Sequence, residues 1–342
     1  MTLPELEKLL EEFGEPKYRA LQIFKWLQSG VEDFDEMTNV SKSLREKLKD
    51  KCYLAVTKIA KRYESKLDGT VKYVFELFDG EYIESVLMKY EHGYSICIST
   101  QVGCRMGCKF CASGLFGLTR SLTASEMLSQ ITTAQRDNDI RISNVVMMGM
   151  GEPLDNFDNS ARFLTLVSDK NGLNIGLRHI SLSTSGVVKG IEKLKELNLP
   201  ITLSVSLHAP NDEIRSSMMP VNNKWNVDSL IKACKEYQQV TTRRISFEYA
   251  LISGVNDSKE CAVQLANRLR GLLCHINLIP ANPVKENDFK KPDRKNIMLF
   301  KSYLEQKGMT VTVRRTLGAD ISASCGQLRK KAKEDGSLAD IQ

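Results

Sequence analysis

Several features that mark common protein classes are missing from this sequence of 342 residues. It has no apolar run long enough to cross a bilayer, which takes about 20 residues. Its first residues, M-T-L-P-E-L-E-K-L-L, have an amphipathic pattern rather than the apolar centre of a signal peptide. It also has no G-x-G-x-x-G motif that opens a helix, as a dinucleotide site would. We therefore expect a cytoplasmic protein that has no membrane partner and no such dinucleotide site.

Positive charge is only slightly in excess of negative charge in this sequence. Lys and Arg number 48 and Asp and Glu number 42, so the formal net charge is +6. An excess of this size favours a polyanionic partner only mildly, and many enzymes of small substrates are as basic. Nine cysteines in a cytoplasmic chain indicate metal or thiol chemistry rather than a framework of structural disulfides.

Three of the cysteines, Cys104, Cys108 and Cys111, form a C-x3-C-x2-C array. The array differs from the C-x2-C-x2-C-x3-C-P run of electron-transfer ferredoxins and from the paired C-x2-C of a zinc ribbon. A cubane iron–sulfur cluster normally takes four thiolates, so three would leave one iron open, as in a catalytic metal site. Three small buried residues, or an unusual zinc knuckle, are the alternatives.

Residues 1–52 predict a small helical domain. One apolar face at the start of the chain ends before Pro16, and a second helix, Y-R-A-L-Q-I-F-K-W-L, runs to Gly30. A third helix, V-S-K-S-L-R-E-K-L-K, is strongly basic, with Leu44 and Leu48 on its inner face. Its exposed Lys and Arg side chains indicate either an RNA contact or an ordinary solvated surface.

In residues 53–92 the apolar period changes from about 3.6 to 2. The chain there has three alternating segments separated by Asp-Gly pairs at 68–69 and 79–80, which are strong hairpin signals. The segments lie near 54–63, 70–78 and 81–90. They predict a small antiparallel β extension. Glu84 lies within it, and a strand carboxylate is ordinarily a surface residue.

From residue 93 to residue 329, strand and helix patterns alternate six times. Strands are expected near 94–100, 143–148, 178–183, 201–206, 245–251 and 274–279, and helices near 123–136, 156–169, 187–197, 226–239, 257–270 and 294–307. Six alternations with short connections predict an α/β fold whose parallel sheet is wound as an incomplete barrel, with a doubly wound open sheet as the alternative. Unusual residues follow the predicted strands, at the end where barrels carry out chemistry. Residues 330–342 are expected to form a flexible tail.

Four segments in order carry a resemblance to a known family: C-I-S-T-Q-V-G-C at 97–104, M-G-M-G-E-P at 148–153, S-L-H-A-P at 206–210 and D-I-S-A-S-C-G-Q-L at 320–328. The cysteine array is similar to that of radical S-adenosylmethionine (SAM) enzymes. The full set resembles the RNA adenine-C2 methyltransferases of the RlmN family, which are relatives of the C8 methyltransferases of the Cfr type. The resemblance extends over nearly the whole chain and implies an incomplete (β/α)6 radical-SAM barrel with an N-terminal helical domain.

This resemblance implies a [4Fe-4S] cluster held by Cys104, Cys108 and Cys111, with SAM bound at the open iron. The glycines of M-G-M-G-E-P allow a close approach to the backbone, and the glutamate of the same segment offers a carboxylate acceptor for the amino group of SAM. Both features fit this assignment. The residues that match the SAM positions of the family are Gly151, Glu152, Ser183, Ser206, Leu207, His208 and Asn282. Taken singly, each would be a routine loop residue, and His208 a structural histidine.

The resemblance also implies three catalytic residues: Cys325 as the methyl carrier, Cys97 as the resolving thiol and Glu84 as the proton acceptor. C2 of adenine is electron-poor, so polar transfer of the electrophilic SAM methyl group would pair two electrophiles. The family uses two SAM molecules in each turnover. The first methylates Cys325, and the second yields a 5′-deoxyadenosyl radical that activates the S-methyl group for addition to C2. Cys97 then attacks the Cys325 sulfur, which releases the product and leaves a transient disulfide.

The implied substrates are an adenosine in the peptidyl-transferase centre of 23S rRNA and the adenosine 3′ of the anticodon in tRNAs. An electron donor such as flavodoxin or ferredoxin and a monomeric enzyme are expected. Pro153 favours C2 over C8, because the C8 relatives have alanine at that position. A non-catalytic iron–sulfur protein that binds RNA or senses redox state, and a radical enzyme acting on a small metabolite, are alternatives from other classes.

Overall fold

The computed structural model of the chain describes residues 1–115, 117–282, 289–324 and 326–327. It begins with the three helices α1 (Leu3–Glu12), α2 (Tyr18–Gln28) and α3 (Lys42–Lys51). The Glu5 carboxylate accepts a hydrogen bond from the Thr2 backbone N–H at 2.7 Å, which closes the first turn of α1. Leu44 and Leu48 are at most 1% exposed, so the inner face of the basic helix is the one that its periodicity predicts.

An antiparallel ribbon follows, with β1 (Lys58–Glu64), β2 (Val71–Glu76), β3 (Tyr82–Tyr90) and β4 (Gly93–Cys97) paired in that order. The two predicted Asp-Gly turns are present, with φ of 70° at Gly69 and 74° at Gly80. The first strand begins at Lys58 rather than at residue 54. The segment before it contacts a helix instead, because the Thr57 N–H donates to Ser129 Oγ at 2.8 Å.

The rest of the described chain alternates strands and helices. In order, these elements are β5 (Gln101–Gly103), β6 (Leu118–Ser121), α4 (Ala124–Asn138), β7 (Ile142–Met147), α5 (Phe157–Ser168), β8 (Ile180–Thr184), α6 (Val188–Leu197), β9 (Thr202–Ser206), α7 (Asp212–Met218), α8 (Val227–Thr241), β10 (Ile245–Leu251), α9 (Lys259–Leu269), β11 (Cys274–Pro280), α10 (Arg294–Gln306) and β12 (Val311–Val313). All six predicted strand–helix pairs are confirmed. The short elements β5, β6, α7 and β12 were not predicted, because three to seven residues are too few for a periodic signal.

Ten of the strands form one sheet in the order β1-β2-β3-β4-β7-β8-β9-β10-β11-β12. From β4 onward every pair is parallel and the strands follow each other in chain order. In a doubly wound sheet, the order of the strands would reverse at an inner strand. The sheet is instead wound in one sense, and among the described strands β12 pairs only with β11. The prediction of an incomplete barrel is therefore confirmed.

The two faces of the parallel strands differ in polarity. Leu182, Leu203 and Phe247 are buried on the side that carries the helices. The opposite, inner face carries Ser183 and Glu248, which are next to them in sequence; Ser183 is one residue before the end of β8, and Glu248 is in the middle of β10. This alternation places polar groups inside the barrel, and Ser183 lies near the end where the loops that follow the strands meet.

The antiparallel ribbon continues the sheet of the barrel rather than forming a second layer, since β3 pairs with β4 along five residues. The domain limits after residues 52 and 92 stay predictions, and the predicted tail at 330–342 lies outside the described residues. Within the described part of the chain, no helix combines the length and apolar character needed to cross a membrane.

Candidate active site

The cysteine array lies in the loop between β5 and β6, two strands that pair as an antiparallel hairpin. The base of the loop is closed by the Cys104 N–H, which donates to the Gly117 carbonyl at 3.0 Å. Only glycine fits at Gly103, because its φ is 78° and a Cβ there would lie 2.0 Å from the Gly117 oxygen. The hairpin thus fixes both ends of a loop whose three thiols, Cys104, Cys108 and Cys111, line a single cavity.

The far side of the cysteine loop rests on α7, a helix that the sequence did not predict. The Lys109 N–H donates to the Met218 carbonyl at the end of α7, at 2.9 Å. The apolar side chains of the loop pack on a small buried cluster at the end of that helix, whose members are Ala209, Met218, Met219, Val221, Ile252 and Ala281. The loop also contacts the end of the described chain, where the Ala112 N–H donates to the Gly326 carbonyl at 2.8 Å.

The cavity has a volume of about 170 Å³ and lies at the carboxyl ends of the barrel strands. Six of the seven residues predicted to bind SAM line it: Gly151, Glu152, Ser183, Ser206, His208 and Asn282. The seventh, Leu207, is fully buried in the hydrophobic core and its side chain does not line the cavity. Its backbone carbonyl accepts a hydrogen bond from Arg215 Nε at 3.1 Å instead. The strand order of the barrel therefore gathers these residues from four separate segments of the chain.

Burial shapes the chemistry of the thiols. Desolvation raises the pKa of Cys104 to about 12, and raises that of Cys108 well above its usual value. Without a cation they stay neutral, whereas a bound metal deprotonates a coordinating thiol. Among the described residues, no three His, Cys, Asp or Glu side chains surround a point that would suit one metal ion. The three thiols in one cavity are soft ligands of the kind that an iron–sulfur cluster takes.

The M-G-M-G-E-P turn follows β7 and packs against the end of β4. A Cβ at Gly149 would lie 2.6 Å from the Ile98 carbonyl oxygen. At Gly151, φ is 105° and a Cβ would lie 2.6 Å from the Gln101 Cβ. The glycines were expected to let a ligand approach the backbone. In the structure the space beside their Cα atoms is taken by the chain itself, so Gly149 first serves to bring the turn against the end of β4, and Gly151 to bring it against β5.

Gly149→Ala is therefore expected to lower the free energy of unfolding by about 1–3 kcal/mol, the usual cost of overpacking. The matched control is Gly176→Ala, where φ is −58° and the nearest atom to a new Cβ, on His179, is 3.6 Å away. That variant should be neutral or slightly more stable, because alanine restricts the unfolded chain. Denaturant unfolding of both variants measures the difference, and equal stability would contradict the close contact at Gly149.

Glu152 is the buried carboxylate of the cavity, with 3% of its surface exposed. One of its oxygens accepts the Leu154 N–H at 3.0 Å, and the other accepts the Ser185 N–H at 2.6 Å. Burial raises its pKa, and these two hydrogen bonds oppose that rise. The two N–H groups fix the orientation of the carboxylate, and each oxygen retains a further lone pair for a cationic ligand.

His208 lies in the cavity wall and also supports it. Its φ is 57°, which is unusual for a residue other than glycine. Its Nδ1 accepts the Ala250 N–H at 2.8 Å, and the edge of its ring meets Phe110 with 4.8 Å between centroids. Desolvation, with a smaller effect of Arg215, lowers its pKa to about 3. His208 is thus a neutral histidine that joins β9 to β10 and has no proton to give from Nδ1.

A second, smaller cavity adjoins the first. Cys97, at the end of β4, lines it and is 7% exposed. The two cavities share four lining residues: Met148, Ile279, Asn282 and Arg314. Ser324 lines the cavity of Cys97, and Gly326 lines the cavity of the cysteine array. Cys325 itself lies outside the described residues, so the predicted pairing of Cys97 with Cys325 stays a prediction.

Glu84 lies on the same face of the sheet as Cys97. Val86 is opposite Cys97 in the β3–β4 pair, and Glu84 is two residues before Val86. Its side chain is 5% exposed, so it is not the surface carboxylate that its strand position alone would predict. Lys72, on β2, is opposite Val86 and therefore diagonal to Glu84, and Lys72 Nζ is 3.6 Å from Glu84 Oε1. A carboxylate and its counter-charge are thus buried together beside the cavity of Cys97.

The segment after β12 is held against the β1–β2 turn. The Asp320 carboxylate accepts the Ser65 hydroxyl at 2.7 Å and the Lys66 N–H at 2.9 Å. Asp68 accepts the Gly318 N–H at 2.9 Å. These contacts join residues about 250 positions apart, so no local pattern could have predicted them. They anchor the chain a few residues before position 325 to the antiparallel ribbon.

Sequence reasoning missed two buried charged residues near the first cavity. Glu248 is 4% exposed, lines the cavity and accepts hydrogen bonds from Ser246 Oγ at 2.8 Å and Asn277 Nδ2 at 2.7 Å. Arg215 is fully buried in α7. The alternation of polar and apolar residues along β10 was a signal for Glu248. Nothing in the short α7 segment distinguished Arg215 from an ordinary surface arginine.

Comparison with known proteins places this site in a family. Residues 98–266 match the model of the radical SAM superfamily, and residues 1–54 match the ribosomal RNA large subunit methyltransferase N-terminal domain. A crystal structure of a radical SAM methyltransferase from Sphaerobacter thermophilus superposes with a TM-score of 0.92 and 45% identity. It covers 96% of this chain and 98% of its own.

Two curated relatives have the same residue as this chain at about half of the aligned positions. A probable dual-specificity RNA methyltransferase RlmN from Alkaliphilus oremlandii is 54% identical over 97% of this chain and 96% of its own length. One of the same description from Clostridium novyi is 52% identical over 96% of both. Identity of this extent across both matched domains shows that the chain belongs to the RlmN family of radical SAM methyltransferases.

Proposed function

We propose that this protein methylates C2 of adenosine in RNA: in the peptidyl-transferase centre of 23S rRNA, and 3′ of the anticodon in tRNAs. One observation carries the proposal. The cavity lined by Cys104, Cys108 and Cys111 adjoins the cavity lined by Cys97, and the residues that flank position 325 line one cavity each. A metal-binding array and a separate thiol at one site suit a reaction that needs both, and the relatives described above are RNA methyltransferases by name.

A [4Fe-4S] cluster and SAM, when bound, supply the methyl group and a radical that abstracts hydrogen. The residues of the chain divide the remaining tasks. Cys104, Cys108 and Cys111 hold the cluster, while the Glu152 carboxylate and the polar strand ends orient SAM. Cys325 receives the methyl group and presents it to C2 of the adenine. Cys97 then attacks the Cys325 sulfur and frees the methylated base.

Glu84 is the proposed acceptor for the proton that leaves C2. Two observations support this role: its carboxylate is buried on the face of the sheet that carries Cys97, and Lys72 lies beside it. A buried carboxylate needs a counter-charge to stay ionised, and only the ionised form can accept a proton.

Exposed aromatic side chains at this end of the barrel support the binding of RNA there. The turn between β2 and β3 lies at the same end of the sheet as Cys97, because β3 runs antiparallel to β4. It exposes Phe78, at 66%, beside Tyr53, at 62%, with 5.3 Å between the ring centroids. Exposed rings of this kind stack with nucleobases in proteins that bind single strands. We further propose that the enzyme acts as a monomer and receives electrons from flavodoxin or ferredoxin.

The test uses SAM with a deuterated methyl group and protein reconstituted anaerobically with iron and sulfide. A 23S rRNA fragment and tRNA transcripts are incubated separately, digested to nucleosides and examined by mass spectrometry. We expect labelled 2-methyladenosine from both RNAs. An 8-methyladenosine product would overturn the choice of carbon, and a product from only one RNA would overturn the dual specificity. No labelled nucleoside at all would overturn the proposed function.

A further inference from the structure

Arg215 is a fully buried arginine whose charge the reaction described above does not use. Its guanidinium makes four hydrogen bonds, and every acceptor is neutral. The Leu207 carbonyl accepts from Nε at 3.1 Å and Asn222 Oδ1 from Nη1 at 3.0 Å. The carbonyls of Ser185 and Ser206 accept from Nη2 at 2.6 and 3.2 Å. The side chain thus ties together the chain segments that follow β8 and β9.

Four neutral acceptors orient a guanidinium but do not neutralise it. An unpaired charge in the protein interior is costly, so buried arginines normally have a carboxylate partner. Within the described chain, no carboxylate lies within ion-pair distance of Arg215. Asp212, one turn earlier on α7, attracts it from farther away, and that carboxylate already accepts hydrogen bonds from Asn222 and from the Val227 N–H.

Arg215 lies directly behind the cavity of the cysteine array instead. Its Nη2 donates to the carbonyls of Ser185 and Ser206, and both of these residues line that cavity. Its helix, α7, and the cysteine loop are in direct contact, since the Lys109 N–H donates to the Met218 carbonyl at the end of α7. The guanidinium of Arg215 therefore lies behind the wall of the cavity that the three thiols line, on the protein side.

We propose that Arg215 is the counter-charge of the iron–sulfur cluster and makes its reduction easier. The inference rests on the proposed function, because it needs the cluster held by Cys104, Cys108 and Cys111. Reduction adds one electron, supplied by a one-electron donor, to a centre that its thiolates already make anionic. A fixed positive charge in a region of low dielectric stabilises the reduced form more than the oxidised form. The four neutral acceptors keep the guanidinium in place without cancelling its charge.

The reduction potential tests this directly, and a merely structural role would not shift it in a charge-dependent way. Arg215→Gln removes the charge, while Asn222→Asp puts a carboxylate oxygen against the guanidinium and replaces the Nδ2 that donates to Asp212, a donor that Asn222→Ala also removes. In each variant we expect the equilibrium constant for reduction to fall at least tenfold, which is 59 mV for a one-electron couple. Two variants keep the charge: Arg215→Lys, and Asn222→Ala, which removes the hydrogen bonds of Asn222 with Arg215, Asp212 and Ser216. Both should stay within about threefold of the wild type, well under that 59 mV step.

The measurement is a redox titration of anaerobically reconstituted protein, followed by electron paramagnetic resonance of the reduced cluster. Wild-type potentials in Arg215→Gln and Asn222→Asp would overturn the inference. So would a shift in Asn222→Ala as large as that in Asn222→Asp, because packing and not charge would then explain it. If Arg215→Gln cannot hold iron, the comparison of Asn222→Asp with Asn222→Ala decides alone. A wild-type protein that binds no cluster would instead overturn the proposed function on which the inference rests.

Discussion

Protein in which Cys108 is replaced by alanine is expected to lose its iron and all SAM cleavage. Wild-type protein prepared without oxygen should be brown and contain about four irons per chain, the content of one cubane cluster. In a cubane cluster each of the three thiols would bind a different iron, so the loss of one would leave two irons without a protein ligand. Cys108 is the most demanding position, because it is partly buried against the cluster that contains Met218 and Met219 and it also lines the cavity. Iron analysis and detection of the SAM cleavage product measure both effects.

A second buried cysteine serves as the control for this prediction. Cys261, on α9, is 7% exposed and lies in the main hydrophobic core, away from the cavity. Cys261→Ala makes the same chemical change and should keep the iron content and the SAM cleavage of the wild type. Full iron content in a variant that lacks all of Cys104, Cys108 and Cys111 would show that the array is not the cluster site.

Much of the fold could be predicted because its signals are local. The Asp-Gly pair at 79–80 predicts a hairpin, and Gly80 adopts the positive φ that such a turn requires. The strand predicted at 245–251 is observed with the same limits, since its apolar residues begin after two arginines and end shortly before the Ser-Gly pair at 253–254. The barrel then followed from repetition, because parallel strands with short helical connections have few possible arrangements.

The contacts that hold the site in place could not be predicted, because they join segments that are distant in the sequence. Asp320 accepts from Ser65 and Lys66 across 254 or more positions, and neither stretch has a pattern that identifies its partner. Arg215 gives the same lesson. An arginine on a helix of seven residues is normally exposed, and only the packing of α7 beneath the cysteine loop makes it a buried charge.

The same difference holds for the predicted site residues: their positions could be predicted, and their contacts could not. The positions of Glu152, Ser183 and His208 followed from motif and strand order, and the cavity contains all three. What each side chain does there depends on its neighbours. His208 accepts the Ala250 N–H, and the space beside Gly149 is filled by the backbone at Ile98. A motif thus predicts where a residue lies more reliably than which atoms it contacts.

Replacing Cys97 by alanine is expected to trap the enzyme on its RNA. Once a methylene group bridges the Cys325 sulfur and C2 of adenine, attack by a second thiol is the step that breaks the link. Cys97 is placed for it: its side chain lines the cavity next to the cysteine array, together with Ser324. Cys97→Ala should still methylate Cys325 and cleave SAM in a single turnover. Multiple turnover should fall by on the order of 100-fold or more, because each molecule ends as a covalent adduct.

The companion variant removes the thiol that acts first. Cys325→Ala has no methyl carrier, so it should form no adduct with RNA. The double variant should behave like Cys325→Ala, because a later step has no effect when the earlier one is missing. This order of effects distinguishes a resolving thiol from a structural one. A cavity left by a buried cysteine would lower stability in all backgrounds and would not produce an adduct in one background only.

A denaturing gel of each variant expressed with cellular RNA, run with and without nuclease, measures the outcome. Cys97→Ala should migrate as a slower band that nuclease converts to the mass of the protein plus a short nucleotide remnant. Cys234→Ala is the control, since Cys234 is fully buried on α8 among core residues and should give no shifted band. A Cys97→Ala protein that turns over normally without a shifted band would assign Cys97 to the inert core. The methylated base would then have to leave Cys325 by another route. Glu84, on the same face of the sheet as Cys97, would be the next residue to replace.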